Sequence, residues 1–202
     1  LFRSNTRRVW RQHTRGDYWV LDLKSGSLVS LGRSVERTTM MFAKFSPDDN
    51  KVGYVSKNNI YVEDLASGNI IQLTSDGCEY IVNGTFDWVY EEEFSARDGF
   101  RWSPDSRNIA YWQSDTRGTG TFSIINNLDS IYPEIIPLPY PKVGTPNSHV
   151  KVGVVPAQGG ESRWFDVPGD PRNNYLPRMD FIPRANEVMI QQLNRLQNTN
   201  TV

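Results

Sequence analysis

Residues 60–68 read Ile-Tyr-Val-Glu-Asp-Leu-Ala-Ser-Gly, and residues 18–26 read Tyr-Trp-Val-Leu-Asp-Leu-Lys-Ser-Gly. The aspartate and the glycine of one copy each lie 42 positions from those of the other. Each copy predicts two short strands joined by a Ser-Gly turn, because glycine readily adopts the positive φ that such turns need. A repeat of about 40–45 residues made of short strands is typical of the blades of a β-propeller.

A second element, Ser-Pro-Asp, alternates with the first. It occurs at residues 46–48 and 103–105, each time before a run of strand-forming residues, and a degenerate copy, Ile-Pro-Arg, occurs at 182–184. Proline presets φ and aspartate caps the turn, so each copy predicts a tight connection between strands. The resulting order is strand, Ser-Pro-Asp turn, two strands, Ser-Gly turn, strand. We therefore predict an all-β fold over residues 1–202, a partial β-propeller of about four four-stranded antiparallel blades.

Two intervals are longer than the repeat. The two Ser-Pro-Asp turns lie 57 positions apart, and the excess falls near residues 79–99, which predicts an insertion into a blade. The next interval is longer still, and its excess falls on a proline-rich segment near residues 126–145. Because proline cannot sustain a central strand, we predict that this segment is an arm that leaves its blade.

The first insertion carries the most informative motif of the chain. Residues 87–93 read Asp-Trp-Val-Tyr-Glu-Glu-Glu. Adjacent carboxylates repel, and aromatic neighbours exclude the water that would screen them, so the arrangement is explained if a cation fits between the carboxylates. Asp87 is a good N-cap, which predicts a short helix near Glu91–Ala96 with the glutamates in its first turn. An ordinary acidic helix start would have the same residues, and the motif alone does not decide between the two interpretations.

The composition excludes several classes of function. Lys and Arg number 22 against 23 Asp and Glu, and a net charge of −1 gives no electrostatic case for binding nucleic acid or an anionic membrane. No cluster has zinc-ligand spacing and no glycine-rich loop precedes a helix, so we expect no metal and no cofactor. The single cysteine, Cys78, excludes an internal disulfide. The absence of a Gly-x-Ser-x-Gly sequence leaves no catalytic residue to assign.

The acidic motif resembles the double-glutamate motif in the propeller domain of the dipeptidyl peptidase IV family, which are serine exopeptidases of the prolyl oligopeptidase class. Further matches follow in the family's order along essentially the whole chain. They are Trp10-Arg11, Trp102-Ser103-Pro104, Pro139–Gly144, Val150-Lys151 and Gln191–Asn198. The segment Phe94–Gly99 departs from the better-known animal members, which bears on local geometry and not on the glutamates.

The resemblance implies roles for three residues. The family's two amine-binding glutamates are the last two of the three, here Glu92 and Glu93, and its substrate-carbonyl arginine follows a tryptophan, as Arg11 does. Two carboxylates can hold an N-terminal ammonium by charge-assisted hydrogen bonds, and a guanidinium can donate to a carbonyl. Without the resemblance, Arg11 would be interpreted as a solvated surface arginine. Because a bound dipeptide is short, we expect Arg11 to converge with both glutamates on one cavity.

The resemblance also implies what the parent protein does. It would be a serine dipeptidyl aminopeptidase that releases X-Pro or X-Ala dipeptides from peptides with a free N terminus, and this chain would gate and anchor the substrate. The catalytic triad would lie in a C-terminal α/β-hydrolase domain that this chain lacks, so we predict that the isolated chain hydrolyses no dipeptide substrate. The chain begins at Leu1, which suggests a piece of a longer protein.

Two further properties follow only from the family. The parent would form a homodimer through the 126–145 arm. Its propeller would lie outside the cytoplasm, in a periplasmic, secreted or membrane-anchored protein, although the sequence itself does not identify the compartment.

A non-catalytic β-propeller interaction module is the alternative. The Ser-Pro-Asp repeats fit this function equally well, since such blades occur in plain binding propellers. The acidic motif favours the peptidase, because a scaffold has no need of Glu92 and Glu93 beside Trp88 and Tyr90. A Gly-x-Ser-x-Gly sequence followed by Asp and His beyond Val202 would decide between them.

Overall fold

The computed structural model describes residues 1–202, which form seventeen β-strands and one short α-helix. The first half contains β1 Phe2–Arg7, β2 Arg15–Leu21, β3 Leu28–Ser30, β4 Met40–Phe45, β5 Lys51–Ser56, β6 Asn59–Asp64, β7 Ile70–Gln72, β8 Ile81–Asn83, α1 Trp88–Phe94 and β9 Phe100–Trp102. The second half contains β10 Asn108–Asp115, β11 Thr121–Asn126, β12 Glu134–Pro139, β13 His149–Pro156, β14 Arg163–Trp164, β15 Asn174–Phe181, β16 Val188–Asn194 and β17 Asn200–Thr201.

Strands β4 to β7 form the blade that the two repeats predict. All neighbours are antiparallel, the Ser-Pro-Asp turn joins β4 to β5, and the Ser-Gly turn joins β6 to β7. Gly26 and Gly68 have φ of 72° and 70°, as the turn assignment requires. The Ser46 hydroxyl donates to Asp48 at 2.6 Å, and Ser103 donates to Asp105 at the same distance, so both Ser-Pro-Asp turns close in the same way.

Strands β1 to β3, which contain the first repeat, do not form a separate sheet, because β2 is hydrogen-bonded to the blade β4–β7. Strand β2 pairs with β1, β3 and β4, and its contact with β4 consists of two residue pairs, Arg15–Met41 and Gly16–Met40. The first seven strands therefore form one continuous seven-stranded sheet. No closed ring of blades is present.

The second Ser-Pro-Asp turn lies within a separate five-stranded sheet. Strand β10 is its centre and pairs with β13, β8 and β9, while β14 pairs with the outer side of β13. Strands β15, β16 and β17 form a three-stranded sheet that begins the next unit. Between β10 and β13 the chain leaves the sheet as a separate antiparallel hairpin, β11–β12, which we call the arm hairpin. It begins at Thr121 and ends at Pro139, earlier at both ends than the 126–145 segment.

The structure has three apolar cores. One lies within the seven-stranded sheet and packs Tyr18 and Leu31 against Val52 and Tyr54. A second lies between this sheet and the five-stranded sheet and packs Val55 and Ile60 against Phe100, Ile109 and Val155. The third joins Phe86 and Tyr90 to Trp112, Leu176 and Met179, so the acidic motif is part of the packing between two sheets. The structure has no helix that is long and apolar enough to cross a membrane.

Candidate functional site

The helix of the acidic motif begins and ends at clear capping residues. Asp87 has extended backbone, and its Oδ1 accepts a hydrogen bond from the Tyr90 amide at 3.0 Å. Ser95 ends the helix in the left-handed conformation, with φ of 53°. The predicted range, Glu91–Ala96, was therefore wrong by three residues at the start and two at the end. Because the helix begins at Trp88, only Glu91 lies in the first turn, and Glu92 and Glu93 lie in the second.

The buried side of α1 is fixed to both neighbouring sheets. The Tyr90 ring stacks on Phe86 with centroids 5.5 Å apart, and its hydroxyl accepts a hydrogen bond from the Leu176 amide at 3.0 Å. Asp87 Oδ2 accepts from the Ser148 hydroxyl at 2.5 Å. Burial raises the pKa of Asp87, and the hydrogen bonds from Ser148 and Tyr90 oppose that rise. Asp87 therefore acts as a structural cap of the helix.

The three glutamates have different environments. The Glu91 side chain is 5% exposed, and its Oε1 lies 3.4 Å from Arg97 Nε. Burial raises the pKa of Glu91, Arg97 opposes that rise, and the neighbouring charge of Glu92 adds to it. The Glu92 side chain is 15% exposed, and Glu93 is exposed. Glu91 is thus buried beside Arg97, whereas Glu92 and Glu93 are accessible at the surface.

Arg11 forms an ion pair with Glu92, the second of the three glutamates. It lies in the loop between β1 and β2, and its Nε is 2.8 Å from Glu92 Oε1. Its side chain is 73% exposed, so most of the guanidinium remains free to contact other groups. The structure therefore brings Arg11 and Glu92 together, and Glu93 is the next residue along the helix. The binding roles of the three residues remain predictions.

Two spaces near α1 do not include this cluster. A groove of about 490 Å³ lies between Trp88 and the arm hairpin, and it is lined by Phe122, Leu138 and Tyr140 among others. A cavity of about 140 Å³ lies beneath Trp10, next to Trp88 and Glu91. Glu92, Glu93 and Arg11 line neither space. Arg11 and Glu93 are exposed, and Glu92 is partly exposed. The structure contains no group of three or more His, Cys, Asp or Glu residues that could hold a metal ion.

Two charged residues, Arg97 and Asp98, follow the helix that carries Glu92 and Glu93 and were not identified from the sequence. Arg97 and Asp98 lie in the segment between α1 and β9, and Asp98 Oδ2 is 2.5 Å from Lys44 Nζ on strand β4. The signal was present, because the departure at Phe94–Gly99 from the animal members places these two charged residues directly after the acidic motif. Nothing in the local sequence links that segment to Lys44.

Comparison with known proteins places the whole chain. The family model described as "Dipeptidyl peptidase IV (DPP IV) N-terminal region" matches residues 1–202. The chain is 35% identical over 181 residues to dipeptidyl aminopeptidase B of Saccharomyces cerevisiae, an alignment that covers 87% of this chain and 22% of that protein. It is 30% identical over 205 residues to a probable dipeptidyl-aminopeptidase B of Aspergillus clavatus, which covers 95% of this chain and 22% of the relative. The chain thus spans about a fifth of the length of the curated relatives it matches.

Solved structures agree with this result. The crystal structure of Porphyromonas gingivalis dipeptidyl peptidase 4 superposes with a TM-score of 0.88 at 30% identity, covering 98% of this chain and 28% of that one. A putative dipeptidyl aminopeptidase IV from Bacteroides ovatus has the same fold, with a TM-score of 0.70 at 21% identity over 96% of this chain and 27% of that one.

Proposed function

The chain belongs to the dipeptidyl peptidase IV family, as part of the N-terminal propeller region, and on this premise we propose that Glu92 and Glu93 anchor the free N terminus of a peptide substrate. The parent protein would be a serine dipeptidyl aminopeptidase that releases X-Pro or X-Ala dipeptides. The observation that carries the proposal is the surface cluster on α1, in which Glu92 is held by Arg11 and Glu93 is exposed.

The chemistry of the cluster suits an ammonium group. An N-terminal ammonium has three N–H donors, and two neighbouring carboxylates offer enough acceptors to receive them as charge-assisted hydrogen bonds. Arg11 directs its Nε to Glu92 and retains other N–H donors for the first carbonyl of the peptide. Its positive charge also offsets the repulsion between the carboxylates when no substrate is bound.

Because the helix is rigidly held, an ammonium site on it would fix the distance from the substrate N terminus to the bond that is cleaved. Tyr90 and Asp87 fix α1 through hydrogen bonds with Leu176 and Ser148, so the helix is a firm end to the site. A substrate whose ammonium is bound there extends only far enough to present its second peptide bond to a nucleophile outside this chain. We propose that the nucleophile, the acid and the base lie in a C-terminal hydrolase domain of the parent, and that the isolated chain hydrolyses no Gly-Pro chromogenic substrate.

The decisive test is to substitute the anchors in the full-length parent. Glu92→Ala or Glu93→Ala should reduce kcat/KM for substrates with a free N terminus by about 2–5 kcal/mol in transition-state stabilisation, the scale for removing one partner of a desolvated charge pair. The matched control is Glu36→Ala, which removes a surface glutamate paired with Lys57. Wild-type kcat/KM in both Glu92 and Glu93 variants would remove the anchor assignment.

We further propose that the arm hairpin associates with a second copy of the parent protein. Its tip exposes large apolar side chains, with Ile131 96% exposed and Tyr132 82% exposed. Its base instead packs on its own chain, since Leu138 is buried and Tyr140 lies 5.0 Å from the Trp88 ring. Exposed apolar surface of this kind is typical of an interface.

Sedimentation of the parent tests the arm. Deleting Leu128–Pro139 or, with less disturbance to Leu138, replacing Ile131 and Tyr132 by serine should shift the parent from dimer to monomer. Unchanged sedimentation of both variants would show that the arm has no part in self-association.

A further inference from the structure

We propose that Lys44 is a positioning residue for the amine site, because it ties the segment 95–99 behind α1 to the neighbouring blade and so fixes the helix that carries Glu92 and Glu93. The inference rests on the proposed anchoring role of the two glutamates. It adds a residue that lies outside the acidic motif, on strand β4, and that does not itself contact substrate.

Lys44 makes a dense set of contacts with the following sheet. Its Nζ donates to Asp98 Oδ1 at 2.5 Å and to the Phe100 carbonyl at 2.8 Å, and it lies 3.8 Å from the centroid of the Phe100 ring. Arg101 donates to the carbonyls of Asp98 and Phe100 at 2.9 and 2.8 Å. One lysine of the seven-stranded sheet therefore holds the polypeptide at the point where α1 leads into β9.

The segment that Lys44 holds is connected directly to the acidic helix. Asp98 follows Arg97, whose Nε is 3.4 Å from Glu91 Oε1, and Glu91 precedes Glu92. The carboxylate and guanidinium atoms of this pair are buried and lack well-formed hydrogen bonds, so their separation depends on what holds the backbone around them. Two ion pairs, Lys44–Asp98 and Arg97–Glu91, are thus linked through the backbone of adjacent residues, and Glu91 is followed directly by Glu92.

The same segment is also restrained by close backbone packing at Gly99. A Cβ placed on Gly99 would lie 2.6 Å from the carbonyl carbon of Gly84 and from the amide nitrogen of Thr85, so the two backbones are in direct contact. The Gly99 amide donates to the Gly84 carbonyl at 3.0 Å. Backbone contact with Gly84 therefore restrains the segment at Gly99, and the ion pair with Lys44 restrains it one residue earlier, at Asp98. Without Lys44, we expect the segment to loosen at Asp98 and the position of the α1 glutamates to become less well defined.

Small displacements of positioning groups have large effects. A misplacement of about 1 Å can cost on the order of a hundredfold in rate, so partial loosening of α1 should weaken recognition of the ammonium about tenfold. The loss should be selective for the charged amine, because the rest of the bound dipeptide does not rely on the two glutamates. A residue with a merely structural role would instead weaken all ligands alike.

The test measures amine selectivity in the full-length parent. The probes are two competitive inhibitors, a Gly-Pro dipeptide and its analogue with a hydroxyl in place of the ammonium, and the readout is the ratio of their inhibition constants. Lys44→Met and Asp98→Asn should each reduce the preference for the amine about tenfold. The double variant should lose little more, because both substitutions remove the same Lys44–Asp98 ion pair. Asp98→Asn preserves side-chain size and so retains a readout if Lys44→Met folds poorly.

The control is Lys151→Met. Lys151 also lies over an aromatic ring, 3.6 Å from the centroid of Trp164, but it contacts the outer strand β14 and not the helix. This variant should keep wild-type selectivity.

Two outcomes would overturn the inference. One is an amine preference within about twofold of wild type in both Lys44→Met and Asp98→Asn, and the other is equal weakening of both inhibitors. Glu92→Ala and Glu93→Ala run in parallel separate this failure from a failure of the proposed function. If they lose selectivity while the Lys44 and Asp98 variants do not, the anchor stands and the positioning role is wrong. If they keep it, the anchor itself is wrong.

Discussion

The acidic helix and the arm hairpin both interrupt the blade repeat, yet they are built in opposite ways. The helix is short and its side chains are fixed by partners on three other elements, including Ser148, Leu176 and Arg11. The hairpin is regular in its backbone, but its tip exposes Leu128, Ile131 and Tyr132, each by more than 80%. The difference fits the two proposed roles, because recognition of a small cation would need charged groups in fixed positions, whereas association would need an apolar surface that is exposed in the single chain.

The contrast appears again at the junction of the two regions. Trp88, the first residue of the helix, packs against Tyr140 just beyond the hairpin, and together they form one wall of the 490 Å³ groove. Leu138 and Tyr140 therefore fix the base of the arm, whereas most of the remaining strand residues of the hairpin, such as Ile125 and Ile135, are exposed. Substitutions in the helix should change stability, and equivalent substitutions at the tip should not.

The largest expected difference lies between two tyrosines. Tyr90→Ala removes a buried ring of the third core and leaves the Leu176 amide without its partner, so the free energy of unfolding should fall by about 3–5 kcal/mol. Tyr132→Ala at the hairpin tip should change it by less than about 0.5 kcal/mol. The urea midpoint of the propeller transition in the full-length parent measures both, in monomeric protein so that association does not contribute. Equal destabilisation by the two variants would remove the contrast.

A smaller effect is expected at the cap of the helix. Asp87→Ala leaves the Tyr90 amide and the Ser148 hydroxyl unpaired, and should cost about 1–2 kcal/mol. Asp87→Asn keeps an acceptor for the amide and should cost less. A cost from Asp87→Asn as large as that from Asp87→Ala would show that the charge, and not the hydrogen bonds, stabilises the helix.

The same position gives a pH dependence with a defined sign. Burial raises the pKa of Asp87 in the folded protein above its unfolded value. The folded state therefore holds a proton that the unfolded state has lost, and the contribution of Asp87 to stability falls as pH rises from the ordinary carboxyl range through the raised pKa. Asp87→Asn should remove that fall. Urea midpoints measured from pH 4 to pH 8 that run parallel in wild type and variant would contradict the assignment.

The smallest effect concerns the charge of Lys44. Burial lowers the pKa of Lys44 to about 8, and the facing charges of Asp98 and Asp180 oppose this while Arg101 adds to it. As pH rises through about 8, neutral Lys44 no longer pairs with Asp98, whereas Lys44→Arg stays charged. Amine selectivity should thus fall about threefold more in wild type than in Lys44→Arg between pH 7 and pH 9. The ligand's own amine titrates in the same range but affects both proteins equally, and coincident profiles would contradict the prediction.

The sequence predicted the blades well because their turns depend on local chemistry. Gly68 and the Ser-Pro-Asp turn at 46–48 set φ and close hydrogen bonds within a few residues, so the four strands from Met40 to Gln72 follow from composition and spacing alone. The helix was predicted from its cap, Asp87, but its bounds were displaced because the residue that follows a cap starts the helix, and the glutamates were taken as that start.

The rest depended on contacts distant in sequence. The seven-stranded sheet rests on two residue pairs between β2 and β4, which no repeat length encodes. Lys44 and Asp98 are 54 positions apart, and their pairing depends on how two sheets stack. Glu92 and Glu93 were identified from the family resemblance. That Glu91 differs from them, because it is buried beside Arg97, could be seen only in the structure.

The anchoring role of the acidic helix is tested most directly by a crystal structure of the full-length parent with an uncleaved dipeptide bound. We predict that the ammonium lies within about 3 Å of carboxylate oxygens of both Glu92 and Glu93, the range of a charge-assisted hydrogen bond, and that Arg11 donates to the first carbonyl. An ammonium bound elsewhere, or an Arg11 side chain that points to bulk solvent far from both glutamates, would contradict it.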